Sequence, residues 1–185
     1  MSRHPELAIR KPESTAIARF RGFTRSTVGA FFDKYCQLIE DHGLTADKIY
    51  NVDETGHSTV QNPSKVISVR GKKRVGAITS TERGQNTSGV YCASASGHML
   101  PPMLIFKRKR MCDSLKVDAP DGTIFACTDT GYSDGTVFLQ WLEHFIKMVK
   151  PTPQTQHLLL LDGHASPTKN LEALNLARQN GLILL

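Results

Sequence analysis

The fold is decided by the stretch His157-Leu-Leu-Leu-Leu-Asp-Gly-His164, in which an unbroken apolar run leads directly into an acid. Such a run is typical of a strand that is buried on both faces of a sheet. It lies between two segments with helical spacing of apolar residues, at about 136–149 and 168–180. Apolar residues resume at Ile183, which predicts another strand. The order helix, strand, helix, strand predicts an α/β domain with a mixed sheet flanked by helices.

The part of the chain before this unit is rich in short β-prone runs. The first run covers residues 49–53, and β-branched segments at 66–70, 75–80 and 88–95 favour an antiparallel meander. Residues 99–106 contain two prolines, which suit an edge strand or an irregular strand. Two further elements are predicted, a helix at 28–39 that stops near Gly43 and a strand at 123–127.

The composition excludes several classes of protein. Apolar residues make up 39% of the 185 residues and charged residues 22%, which is ordinary globular usage. The four cysteines form no CxxC pair, so neither a structural zinc site nor a disulfide framework is predicted, and we expect reduced, mostly buried thiols. The apolar runs are too short to span a membrane, so no membrane partner is predicted.

The charge is unevenly placed along the chain. Residues 1–110 hold 18 Lys and Arg against 9 Asp and Glu, whereas residues 111–185 hold 5 against 8. A basic half predicts a polyanionic partner, most simply nucleic acid. The basic clusters are Lys72, Lys73 and Arg74, and Lys107, Arg108, Lys109 and Arg110. We favour the interpretation that these clusters contact phosphates. The alternatives are that they form a nuclear localisation signal, or that they are hairpin tips that are basic only because they are exposed.

Two acids stand out by their position at strand ends. Asp53 ends the first β-prone run and Asp162 ends the buried strand, 109 positions later. Ligands of α/β sheets bind outside the carboxyl ends of strands, so the two carboxylates converge if their strands are neighbours. Oxygen ligands of this kind suit Mg²⁺ or Mn²⁺, which activate water for phosphodiester cleavage. The alternative, which the residues alone leave open, is that each acid only caps a turn.

Two neighbours of these acids are candidates for supporting roles. Glu54 follows Asp53 and is expected to point to the other face of the strand, either in support of the site or at the surface. His164 follows Asp162 by two positions and could orient a substrate, although a turn histidine bonded to the backbone is the simpler interpretation.

Several stretches, in the same order along the chain, resemble pogo/Tigger-type transposases of the DDE endonuclease superfamily, which includes centromere protein B-like and jerky-like relatives. The stretches that carry the resemblance are His4-Pro-Glu-Leu-Ala-Ile-Arg-Lys-Pro-Glu13, Ile49-Tyr-Asn-Val-Asp-Glu-Thr-Gly56, Glu82-Arg-Gly84, Ser94-Ala-Ser-Gly97, Pro101-Pro-Met-Leu-Ile-Phe106 and Leu158-Leu-Leu-Leu-Asp-Gly-His164. One departure is Pro167, where the family often has histidine.

The resemblance implies a ribonuclease-H-like fold and a metal-dependent cut-and-join reaction on DNA in the nucleus. It implies that Asp53 and Asp162 are catalytic and hold Mg²⁺ or Mn²⁺. A third acid is expected further along than the 23 residues that follow Asp162, and Glu172 is not assigned to it. We therefore expect a remnant of a helix-turn-helix DNA-binding region with its linker at 1–26. An endonuclease domain that is incomplete at its C-terminus is expected at 27–185.

The function predicted first is that of a transposase-derived DNA-binding protein with a partial endonuclease domain. An active endonuclease, formed when the missing segment is present, is the second hypothesis. A phosphoryl-transfer enzyme with an aspartyl nucleophile is disfavoured, because His164 occupies the place of its paired acid. A non-catalytic protein-interaction module is a further alternative.

Overall fold

The computed structural model of the chain describes residues 22–58, 86–162 and 170–185. The chain divides into two compact units, Met1–Gly43 and Leu44–Leu185. The strands predicted at 66–70 and 75–80 lie outside the described residues. The division of the sequence at residue 26 stays a prediction.

The first unit contains one long helix in its described part, α1 (Arg25–His42). Its first turn is capped by Thr24, whose side chain accepts a hydrogen bond from the backbone N–H of Thr27 at 3.2 Å. Gly43 ends the helix in the left-handed conformation, with φ of 56°. The helix predicted at 28–39 and its stop are confirmed.

The described part of the second unit is a mixed sheet with helices. Its elements are β1 (Ile49–Ser58), β2 (Asn86–Ser94), β3 (Met103–Lys107), β4 (Ile124–Thr128), α2 (Gly135–Val149), β5 (His157–Leu160), α3 (Leu171–Gln179) and β6 (Leu182–Leu184). The strand order in the sheet is β4-β3-β2-β1-β5-β6. Only β2 runs antiparallel to its neighbours among these strands, so the other strands present their carboxyl ends at one edge of the sheet.

The strand with two prolines corrects one prediction. It was expected over 99–106 as an edge strand or an irregular strand, but β3 begins only at Met103 and lies inside the sheet between β2 and β4, so the edge alternative is wrong. Because Pro101 and Pro102 precede the strand, neither is required to donate a hydrogen bond to the ladder. Pro102 instead contributes its carbonyl, which accepts from the backbone N–H of Ile124 at 3.1 Å.

The core lies between the sheet and α2. Asp134 caps this helix as predicted, because its carboxylate accepts from the N–H groups of Thr136 and Val137 at 3.0 and 2.9 Å. The apolar face of α2 then packs on β1, where the rings of Tyr50 and Phe145 meet edge to face with centroids 5.2 Å apart. The residues of α2 that this packing buries are Val137, Phe138, Trp141, Leu142 and Phe145.

The cysteines differ from the prediction that most would be buried. Cys92 alone among the four is buried, on β2, where burial raises the pKa of its thiol to about 12. Cys36 and Cys112 are exposed, and Cys127 is half-buried. Residue type predicts only the average burial of cysteine. The exposure of each thiol here depends on its location: Cys36 lies on α1, Cys112 in a loop and Cys127 on β4, the outermost described strand. All four thiols are free, as expected.

Replacement of Gly181 by alanine should destabilise the second unit strongly. Gly181 adopts φ of 69°, and a Cβ built there would overlap the backbone of Thr152. We expect Gly181→Ala to lower the free energy of unfolding by about 2–5 kcal/mol, from left-handed strain plus overpacking. Gly97 is the matched control, since its φ is 89° but no atom lies near its Cβ position. Gly97→Ala should cost only about 1–2 kcal/mol in urea denaturation, and equal losses would contradict this account.

Folding should weaken in mild acid because two histidines, one buried and one half-buried, have lowered pKa values. Burial lowers the pKa of His157 and of His144 below the ordinary histidine value. The unfolded chain therefore binds more protons, and stability is lost as the pH falls through about 6.5 towards the folded pKa values. We expect a lower urea midpoint at about pH 5.5 than at about pH 7.5. His157→Phe should reduce that difference, and substitution of the exposed His98 should leave it intact. An unchanged difference in His157→Phe would refute the assignment.

Candidate functional site

The parallel pairing of β1 with β5 places the two candidate acids. Ile49, Tyr50 and Asn51 pair with Leu158, Leu159 and Leu160 in register. Continuing this register by two residues, past the end of β5, sets Asp53 level with Asp162. The prediction that Asp53 ends its strand is wrong, because β1 continues along β2 as far as Ser58. The structure thus brings together two acids that are 109 positions apart in the sequence. Their catalytic and metal-binding roles stay predictions.

Both acids line one cavity of about 230 Å³ at the carboxyl end of the sheet. The two aspartates are exposed, whereas Val52 and Phe138 give the cavity a buried apolar part. Asp53 also accepts a hydrogen bond from the backbone N–H of Glu54 at 2.8 Å, so its carboxylate is held close to its own strand. The arrangement is an apolar hollow with carboxylates beside it.

Glu54 has a defined contact that neither sequence-based alternative described. Its carboxylate accepts from the backbone N–H of Ser133, with both oxygens at 3.3 Å. Ser133 directly precedes Asp134, the cap of α2, so the contact joins β1 to the start of that helix. A negative charge is favourable at a helix N-terminus. Glu54 is half-buried and lines the cavity, which makes it a positioning residue for the loop before α2.

The loop between β4 and α2 is held by its own hydroxyl groups. The Thr128 hydroxyl donates to the carbonyl of Tyr132 at 3.0 Å and accepts from the N–H of Gly131 at 2.9 Å. The Tyr132 N–H donates to the Thr130 hydroxyl at 3.3 Å. Tyr132 is 50% exposed and lines the cavity. Sequence reasoning missed it, because a single aromatic residue in a polar loop shows no periodicity.

A second polar pair lies beside Asp53 on the sheet. Tyr91 on β2 is the register partner of Asp53. Its ring lies over Gly89, where a side-chain Cβ would come within 2.5 Å of it. The Tyr91 hydroxyl thereby reaches the Nε2 of His57 at 2.9 Å. Glycine at position 89 is what allows the ring to lie flat along the strand.

The basic cluster of residues 107–110 lies at the same end of the sheet as the acids. Val90 pairs with both Glu54 and Met103, so Lys107 lies four residues beyond the level of Glu54. At ~3.3 Å per residue and ~4.8 Å per strand, the cluster begins roughly 16 Å from Glu54. Lys107, Lys109 and Arg110 are exposed, and Arg108 is half-buried. The other predicted cluster, Lys72, Lys73 and Arg74, and also His164, lie outside the described residues.

The donors suit a hard cation in kind but are few in number. Asp53 and Asp162 offer only oxygen, the ligand that Mg²⁺ and Mn²⁺ prefer. Within residues 22–58, 86–162 and 170–185, no group of three or more His, Cys, Asp or Glu side chains is placed to hold a metal ion. Asp53 and Asp162 therefore offer two exposed carboxylates at this cavity, and their binding of a divalent ion stays a prediction.

Comparison with known families and solved structures gives concordant results. Residues 85–183 match the family described as DDE superfamily endonuclease. The chain is similar to the Mos1 transposase in three solved complexes. All three are 12% identical to this chain, and 48% of each solved chain is covered. The strand transfer complex matches 100% of this chain with a TM-score of 0.57. The paired-end complex with left transposon end matches 100% with a TM-score of 0.53, and the mariner paired-end complex with Mg matches 96% with a TM-score of 0.51.

At such low identity these likenesses show the fold, which is the ribonuclease-H-like transposase fold that the resemblance implied. The chain spans about half the length of the solved chains that it matches, 48% in each of the three complexes.

One curated protein is similar over most of the chain. It is named MFS-type transporter clz9, from Cochliobolus lunatus, and is 26% identical over 156 residues. The match covers 82% of this chain but 16% of that protein. Among the described residues of this chain, no helix has the length and apolar character needed to cross a membrane.

Proposed function

The chain belongs to the DDE superfamily of endonucleases, and on that premise we propose that Leu44–Leu185 binds DNA at the carboxyl end of its sheet. We further propose that Asp53 and Asp162 are two carboxylates of a metal-dependent site for phosphodiester cleavage. The observation that carries the proposal is the level placement of these acids on neighbouring parallel strands. An acid that only capped a turn would have no reason to lie level with a second one beside the same cavity.

Asp53 and Asp162 would hold Mg²⁺ or Mn²⁺, as the presence of Mg in a similar Mos1 complex suggests. Held by these two carboxylates, such an ion would supply activation of a water molecule and stabilisation of the leaving oxygen of a phosphodiester. Two carboxylates 109 positions apart but level on the sheet repel each other, and this repulsion favours uptake of a cation between them. Glu54 contributes indirectly, because it fixes the loop that borders the acids.

Contact with the DNA backbone falls to the basic cluster at 107–110. Its cations lie at the acid end of the sheet, where a phosphate chain that reaches Asp53 also passes them. The similar solved structures include a transposase complex with a transposon end, which supports DNA as the polyanion. We propose a nuclear location together with the DNA partner, and a fluorescently tagged chain that stayed outside the nucleus would contradict it.

Cleavage by this chain itself is the second candidate function. It is favoured by the exposed placement of both aspartates. DNA binding comes first because it needs only the exposed cations at the acid end of the sheet. A loosely held ion orients an in-line attack poorly, so binding should persist where cleavage is slow.

DNA binding should be sensitive to salt and should depend on where the cations lie. Lys109→Gln with Arg110→Gln removes two exposed cations at the acid end. Lys147→Gln with Lys150→Gln removes two exposed cations from the far end of α2, with the same change in net charge. The slope of the logarithm of the DNA-binding constant against the logarithm of the salt concentration is negative. We expect only the first pair of substitutions to make it shallower, by about 2. Fluorescence anisotropy with a duplex measures this, and equal slopes in both variants would overturn the assignment of the cluster.

Metal binding should depend on both aspartates. Asp53→Asn and Asp162→Asn should each weaken Mn²⁺ binding, measured by electron paramagnetic resonance of free Mn²⁺, by at least about tenfold. Asp121→Asn is the control, since this exposed acid lies before β4 at the opposite end of the sheet. Plasmid nicking that needs Mn²⁺ and both acids would promote cleavage to the first function. Equal Mn²⁺ affinity in all three variants would reject the metal site.

A further inference from the structure

We infer that Tyr132 is a nucleotide-stacking residue, which receives an unpaired base next to the phosphate held at Asp53 and Asp162. The inference rests on the proposed function and adds a contact with the base to it. Its starting point is that Tyr132, an aromatic residue that is 50% exposed, lines the same cavity as both acids. Base stacking on exposed aromatic rings is a general mode of single-strand binding.

The cavity has the size and lining for a base. Its volume of about 230 Å³ is below the ~300–1,000 Å³ of pockets that hold whole small ligands, so it accepts one part of a larger molecule. Val52, Val90 and Phe138 line it with buried apolar surface. A flat, weakly polar base suits the apolar part of the cavity. The carboxylates beside it would repel a phosphate without a cation between them, so the phosphate belongs at the acids only together with the divalent ion of the proposed function.

The loop that carries Tyr132 is already fixed in place. Hydroxyl groups of Thr128 and Thr130 bond its backbone, and Glu54 holds the next residue, Ser133, from across the cavity. A residue ordered before binding loses little conformational entropy when the ligand arrives. This placement distinguishes Tyr132 from a surface tyrosine on a loose loop.

The ligand must be an unpaired base rather than a paired one. Bases inside a duplex are already stacked on their neighbours, so a side chain can stack only on a base that has left the helix or lies at a single-stranded end. The substrate class is accordingly DNA with a single-stranded stretch or a frayed end beside the contacted phosphate.

The test uses the full chain and a duplex with a short single-stranded overhang that carries 2-aminopurine. Wild type and Tyr132→Phe should quench the 2-aminopurine fluorescence, because both present a ring. Tyr132→Leu should not quench it and should bind the overhang DNA about 5- to 150-fold more weakly. Binding to blunt duplex, which offers no unpaired base, should be equal in all three proteins. A thermal melt of each variant establishes that it is folded.

Glu54 gives an independent arm of the same experiment. Glu54→Gln keeps an acceptor for the Ser133 N–H, whereas Glu54→Ala removes it, and both remove the same charge. Quenching should survive in Glu54→Gln and fall in Glu54→Ala, because only the alanine releases the loop. Equal quenching in these two variants would remove Glu54 from the argument.

The outcomes separate the inference from the function on which it rests. Wild-type binding to overhang and blunt DNA alike, with Tyr132→Leu unchanged, overturns the stacking role and leaves DNA binding intact. Loss of all DNA binding by the wild type at low salt overturns both.

Discussion

The pairing of β1 with β5 is the constraint on which the rest of the structure depends. Its register is fixed from both faces, because Leu158 and Leu159 point to opposite sides of the sheet and both are fully buried. A shift of one residue would turn every side chain of β5 to the opposite face, where each leucine would meet different packing partners. Hydrophobic burial on two faces therefore determines where two polar side chains lie. The acids need no direct contact with each other to be held level.

The second element of the site depends on α2. Phe145 of this helix packs against Tyr50 of β1, and the start of the helix lies beside Glu54 of the same strand. Glu54 and Ser133 then join the strand to the helix start. The loop before α2 is positioned at both of its ends, by the Thr128 hydroxyl on one side and by Glu54 on the other. Packing in the core and geometry at the site are in this way parts of one arrangement.

Sequence reasoning succeeded where a residue's environment repeats along the chain. The leucine run before Asp162, the apolar face of α2 and its cap at Asp134 all follow from periodicity or from local hydrogen bonding. The edge position considered for the proline-containing strand was wrong, because whether a strand lies inside a sheet depends on which distant segment pairs with it. The exposed cysteines were misjudged for a similar reason. Burial of a small apolar residue depends on which other residues cover it, and Cys36 on α1 and Cys112 in its loop are exposed.

The candidate site shows the same division between local and non-local information. Asp53 and Asp162 could be selected from sequence, since each ends a β-prone run. Tyr132 could not be selected, because its proximity to the acids arises only when β4, β1 and α2 come together. The supporting contact of Glu54 spans 79 positions and has no local pattern at all.

The β1–β5 register also bears on how such a domain can diverge. The distance between the acids is set by strand pairing rather than by the number of residues that connect them. Doubling the length of a connection costs only about 0.6 kcal/mol of loop-closure entropy. Inserted segments between Asp53 and Asp162 therefore cost little stability, provided that the leucines of β5 keep their register with β1. Lineages of this fold are free to acquire new surface modules in those connections while two carboxylates keep their places, and a designer could graft a binding loop there for the same reason.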